Sequence, residues 1–129
     1  MLRLMKEKKS LPTDRHGINV VNDQFGCPTY AADLATAIMQ IITSNQSKAN
    51  PGIYHYSNAG ITNWYEFAVA IKELTSSNCV VNPIPTSQYP TPAKRPGYSV
   101  LDTTKIKETF GLVIPQWKDG LKRGLALLK

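Results

Sequence analysis

The sequence predicts an α/β protein, a small mixed sheet with packed helices. Three observations carry this reading. Leu34, Ala37, Ile38, Ile41 and Ile42 recur at the i, i+3, i+4, i+7, i+8 spacing of an amphipathic helix. Short β-branched runs, Ile18–Val21 and Cys79–Ile84, lie on either side of helical segments. Gly, Pro and Asn clusters separate these segments, and no internal repeat is present.

Taken in order, Leu2–Lys9 has helix-forming composition but no capping residue before it, so it reads as the tail of a longer helix. Ser10–Gly17 is a loop and Ile18–Val21 a strand, which feeds the loop Asn22–Pro28. Thr29 is the expected N-cap of a helix over Thr29–Thr43, which ends in the polar stretch Ser44–Gly52. Gly52–Ser57 alternates and predicts a second strand. Asn63 and Glu66 form a capping box for a helix running to about Thr75, with Trp64, Phe67, Ala68, Ile71 and Leu74 as its core face. Cys79–Ile84 is a strand, at a sheet edge if Pro83 belongs to it. Thr86–Pro96 is too rich in proline for anything but an extended loop. Asp102 caps a short helix over Thr103–Phe110, closed by Gly111. Pro115 precedes a last helix with Trp117, Leu121, Leu125 and Leu128 on one stripe.

At 129 residues the chain has the length of one domain, residues 1–129. With 42% hydrophobic and 19% charged residues it is no disordered chain. Its longest apolar run, Phe67–Ile71, is far short of the roughly 20 residues of a membrane span. The start MLRLMKEKKSLPTD lacks a signal-peptide core, and Cys27 and Cys79 form no C-x-x-C motif, so a reduced, cytoplasmic protein without membrane partners is expected. The net charge of +6 divides into +3 over residues 1–15, −2 over 16–93 and +5 over 94–129. Lys105, Lys107, Lys118, Lys122 and Arg123 are interspersed with apolar residues as on a solvated helix face. No nucleic-acid-binding motif accompanies them, so a site for a phosphorylated ligand explains the charge better than nucleic acid does.

Catalytic constellations are scarce. His16 and His55 have no partner at metal-ligand spacing, the nine acids are scattered, and neither a Walker loop nor G-x-G-x-x-G occurs. Gly120 and Gly124 match G-x-x-x-G, which in a helix of this kind means close packing. Three segments stand out instead. Val20–Ala35 ends a strand, turns through Gly26 and Pro28 and opens a helix, a junction suited to an anion. Gly52–Asn58 is followed by Thr62–Ala68, and Pro92–Asp102 leads to Lys105 and the close Gly111…Pro115-Gln116-Trp117.

In this order and spacing the segments resemble the D-Q-x-G-x-P-T…D-L-A, G-x-Y-x-x-S-N…W-Y-E-F-A and R-P-x-x-S-x-L-D stretches of dTDP-4-dehydrorhamnose reductases, members of the extended short-chain dehydrogenase/reductases. The likeness runs over the whole chain. It implies the C-terminal substrate-binding lobe of such an enzyme, with the Rossmann domain absent. The parent activity it implies is NADPH- or NADH-dependent reduction of dTDP-4-dehydro-L-rhamnose to dTDP-L-rhamnose. The family's catalytic Tyr-x-x-x-Lys pair is missing, because the fourth residue after each of the six tyrosines is not lysine. The fragment is therefore expected to bind no cofactor and to be inactive by itself, its partners being the dTDP-sugar, the missing Rossmann domain and, through exposed Leu2, Leu4 and Met5, a second copy in a homodimer or self-associated form.

For the substrate, the resemblance points first to Arg95, whose planar fork suits a diphosphate; its bland alternative is a surface arginine at a helix end. Lys94 reads mainly as solvent-facing. Ser99 either meets a phosphate or ends a turn, and Gln24 either donates to the ligand or braces its loop. Thr29 is first a cap and then a contact; Phe25 either encloses the ligand or packs. Trp64, Trp117 and Phe67 are expected in the core, and Asp33 in the first helical turn for the helix dipole. Two other functions fit the residues: a non-catalytic regulatory subunit of the same fold, and a basic module for phosphate ligands.

Overall fold

The computed structural model describes Met5 and residues 17–128. The helix expected over Leu2–Lys9 and most of the following loop lie outside the described residues. Met5 is 1% exposed, so it offers no surface for self-association.

The described residues gather into two compact units, each built from two chain segments. The first contains the chain up to Gly26 together with Thr62–Ser99. Its frame is a parallel pair, β1 (Gly17–Val21) and β4 (Val80–Ile84), with Ile18 opposite Val81 and Val20 opposite Pro83. Buried Ile18, Val20 and Val21 give β1 its apolar side. Pro83 donates nothing to a ladder, and a strand with one described neighbour has a free side for it. A parallel pair needs a crossover. Here the chain returns through β2 (Phe25–Gly26), β3 (Thr62–Asn63) and α2 (Trp64–Leu74), which packs on β1 and β4. β2 and β3 form a second, antiparallel pair, with Phe25 opposite Asn63.

Helix α2 starts as its cap predicts: the Asn63 side chain accepts the Glu66 N–H at 2.8 Å. The reciprocal half of the capping box differs. The Glu66 carboxylate accepts the Thr62 hydroxyl at 3.0 Å, one residue before the cap. Ala68, Ala70 and Ile71 are its buried residues, whereas Trp64 and Leu74 are 46% and 44% exposed. The expected core stripe thus holds only over the middle of the helix.

The second unit contains Cys27–Ile61 and the chain from Val100 onward. It carries α1 (Ala31–Thr43), α3 (Thr104–Phe110) and α4 (Trp117–Ala126). Ala37, Ile106 and Leu112 form its buried centre, with Tyr54, Tyr56 and Phe110 against it. The α1 stripe is covered only in part, since Ile38 and Ile42 stay 47% and 55% exposed. Residues 53–56 alternate between exposed and half-buried, but residues 52–57 form no strand, because no segment among the described residues pairs with them; the nearest ladder contact is the isolated bridge of Ala59 to Gln116. Gly111 closes α3 in the left-handed region (φ 63°), and Asp102 accepts the Thr104 N–H at 2.8 Å. Thr103, rather than Asp102, holds the cap position of α3, one residue later than the sequence suggests.

Glycine is required twice in this unit. A Cβ on Gly60 (φ 92°) would lie 2.7 Å from the Gln116 side chain. A Cβ on Gly120 would lie 2.8 Å from Tyr30 Cβ, so the G-x-x-x-G face of α4 brings its backbone against Tyr30.

Candidate functional site

Within the first unit, residues 22–25 hold both ends of the proline-rich loop. At one end the Asp23 carboxylate accepts the Thr86 backbone N–H from both oxygens at 3.0 Å and the Thr86 hydroxyl at 2.6 Å. Gln24 Nε2 donates to the same hydroxyl oxygen at 3.1 Å, which completes a relay of donors from Gln24 through Thr86 to Asp23. These bonds hold the Asp23 carboxyl below its ordinary range. At the other end, Phe25 donates its N–H to the Gly97 carbonyl at 2.8 Å, and the Phe25 carbonyl accepts from Ser99 N and Oγ at 2.9 and 3.1 Å. Residues 89–96 are therefore a strap pinned at both ends to one short segment.

Under the strap lies a cavity of about 250 Å³. Among the described residues it is lined by residues 18–21 of β1, Gln24, Trp64, Tyr89, Thr91 and Arg95. Arg95 is exposed and is the one charged residue in that lining; no described carboxylate pairs with it. The wall thus offers one guanidinium fork, the neutral amides of Asn19 and Gln24, and two partly exposed aromatic rings. Such a surface favours an anionic ligand with a flat portion.

The structure brings Gln24 and Arg95 to this cavity and leaves the other expected residues out of its described lining. Lys94 is exposed on the strap. The Ser99 hydroxyl is spent on the Phe25 carbonyl, and Phe25, 39% exposed, sits in β2 with its backbone joined to Asn63 and Tyr98. Thr29 belongs to the second unit and does not cap α1; Tyr30 holds that position without any side-chain cap.

The α1 junction itself is not an open anion site. The Tyr30 N–H donates to Asn58 Oδ1 at 2.7 Å, and the buried Asp33 carboxylate puts a negative charge in the first turn. Asp33 does more there than meet the dipole: it pairs with Arg123 at 2.7 Å and accepts from Asn58 Nδ2 at 2.6 Å. The Arg123 guanidinium is the main cause that holds its carboxyl below the ordinary range. Arg123 also lies 5.0 Å from the Tyr30 ring, and Lys105 donates to the Ile53 carbonyl at 3.0 Å over the Tyr54 ring. These two cations are structural, not merely solvated.

Sequence reasoning missed Trp64 and Tyr89 at the cavity. Trp64 falls on the Ala68–Ile71 spacing, and periodicity does not tell where a helix face runs past the surface that covers it. Its position directly after the Asn63 cap was the available signal, since a first-turn residue stands at an element end. No group of three or more His, Cys, Asp or Glu among the described residues could hold a metal. The sequence has no G-x-G-x-x-G loop of the kind that cradles a dinucleotide's pyrophosphate. Both cysteines are free, and no described helix is long and apolar enough to cross a membrane.

The model of the RmlD substrate binding domain matches residues 1–129. A dTDP-4-dehydrorhamnose reductase of Salmonella typhimurium is 39% identical to this chain, over 97% of it and 42% of the relative. The solved reductase of Clostridium acetobutylicum superposes with a TM-score of 0.82 at 35% identity, over 98% of this chain and 42% of its own. That of Bacillus anthracis, solved in complex with NADP, gives 0.81 at 32% identity, over 99% and 42%. The chain thus spans less than half the length of these relatives.

Proposed function

The chain belongs to the RmlD substrate binding domain family, and we propose that residues 1–129 act as the C-terminal domain that holds a dTDP-sugar for reduction at C4. The product in this reading is dTDP-L-rhamnose, made from dTDP-4-dehydro-L-rhamnose. The observation that carries it is the meeting of Gln24 and Arg95, far apart in sequence, at one cavity whose described lining holds no carboxylate. Arg95 engages the diphosphate, and Gln24, its amide oriented by Thr86, meets the ligand beside it.

The hydride comes from a nicotinamide cofactor, NADPH or NADH, held by residues other than these. The resemblance assigns that task to a Rossmann domain with a Tyr-x-x-x-Lys pair, and this chain contains neither the pair nor a glycine-rich loop. The chain's own part is to bind and orient the sugar nucleotide, and a cytoplasmic location belongs to the same reading. Supplied with NADPH and the 4-keto sugar nucleotide, the 129-residue chain is expected to leave nicotinamide absorbance unchanged; turnover would contradict the division of labour.

The test of the binding site is calorimetric titration with dTDP. Arg95→Ala is expected to weaken binding at least tenfold, because a charge-assisted contact to phosphate is worth about 1.5–3 kcal/mol. Arg95→Lys recovers only part, since it restores charge without the fork. Unchanged affinity in Arg95→Ala would end the reading.

A further inference from the structure

We propose that Trp64 and Tyr89 form the wall on which the nucleobase of the ligand stacks. The inference rests on the dTDP-sugar reading above and adds to it which part of the ligand the cavity takes.

Both rings line the cavity, and both are large aromatics left 46% and 56% exposed. Each stands on a fixed backbone. Trp64 is the first residue of α2, directly after the Asn63 cap. Tyr89 follows the 3₁₀ turn Thr86–Gln88, with its N–H bonded to the Thr86 carbonyl at 3.0 Å. A stiff aromatic surface of this kind binds a flat ring at little cost in conformational entropy.

The cavity's size and lining select the base. At about 250 Å³ it lies below the roughly 300–1,000 Å³ of sites that enclose drug-sized molecules, so it takes one portion of a sugar nucleotide. Arg95 is the single charge in the described lining, and the remaining polar side chains there, Asn19, Gln24 and Thr91, are neutral. Asn19 Oδ1 accepts from Asn82 at 3.3 Å, which leaves its amide N–H groups as donors. Gln24 spends one amide N–H on Thr86, which leaves its carbonyl oxygen as an acceptor. A neutral donor and a neutral acceptor suit the imide edge of a pyrimidine base, with Arg95 left for the phosphates.

The chain has two tryptophans, and Trp117 is 6% exposed, so quenching by a ligand in this cavity reports on Trp64. dTDP is expected to quench the emission, whereas inorganic pyrophosphate is expected to compete without quenching. Trp64→Leu and, separately, Tyr89→Ala are expected to weaken dTDP about tenfold, in line with base–aromatic stacking, and to leave pyrophosphate affinity unchanged. Trp64→Phe keeps affinity within about threefold and loses the signal. If both single variants bind dTDP as the parent chain does, or if they lose pyrophosphate to the same extent, the wall is wrong while the dTDP-sugar reading stands. If the parent chain binds no dTDP, that reading falls and the wall with it.

Discussion

Asp23 holds Thr86 by two kinds of bond at once, accepting from its hydroxyl at 2.6 Å and from its backbone N–H at 3.0 Å. The pair closes the first end of the strap that carries Tyr89, Thr91 and Arg95. It also fixes the oxygen to which Gln24 donates.

Removing that hydroxyl should loosen the strap without unfolding the chain. Thr86→Val is expected to reduce dTDP affinity several-fold while the thermal melt, followed by circular dichroism, shifts little, because Asp23 is exposed and Thr86 only half-buried. Amide exchange at residues 88–96 should speed up. A variant that binds as tightly as the parent would show that the anchor does not shape the cavity.

In the second unit, Asp33 supports folding. It is 6% exposed and accepts from Arg123 and Asn58. Asp33→Ala leaves those donors without their partner and should cost about 2 kcal/mol in chemical denaturation. The pH dependence follows from the depressed folded pKa. As pH falls, the unfolded chain takes up the proton first, so the contribution is whole above the ordinary value of 3.8 and is lost as pH drops below it. Asp33→Asn should therefore lack part of the parent's acid destabilisation and behave like the parent in its slope between about pH 5 and 8. An unchanged acid limb in that variant would remove Asp33 from the account.

Close packing of α4 gives a third expectation. With its Cβ 2.8 Å from Tyr30 Cβ, Gly120→Ala forces backbone or ring to shift and should destabilise by about 1–3 kcal/mol, despite the better helix propensity of alanine. Gly124, whose Cβ would sit 3.5 Å from the Tyr30 ring, should accept alanine with far less effect. Equal melting temperatures for the two variants would contradict the asymmetry.

Local chemistry made much of this architecture legible in the chain. Asn63 caps α2 because its side chain can accept a helical N–H three residues on, Gly111 ends α3 because it adopts a left-handed turn freely, and β-branched Ile18, Val20 and Val21 suit a strand. Arg95 and Gln24 were likewise visible as residue types suited to an anionic ligand. Other features depend on partners distant in sequence. Residues 52–57 alternate like a strand and find no ladder, and Thr29 has a capping side chain yet Tyr30 holds the cap. Trp64 follows the apolar spacing of α2 but stands where the covered part of that face ends.

By itself, the amino-acid order determined where the described helices lie to within a residue or two, and which family the segments resemble, because those properties reside in neighbouring residues and their spacing. Only tertiary structure decided that Gln24, Trp64, Tyr89 and Arg95 share a cavity and that Asp33 answers Arg123, since each of these meetings requires the chain to close a long loop before any contact forms.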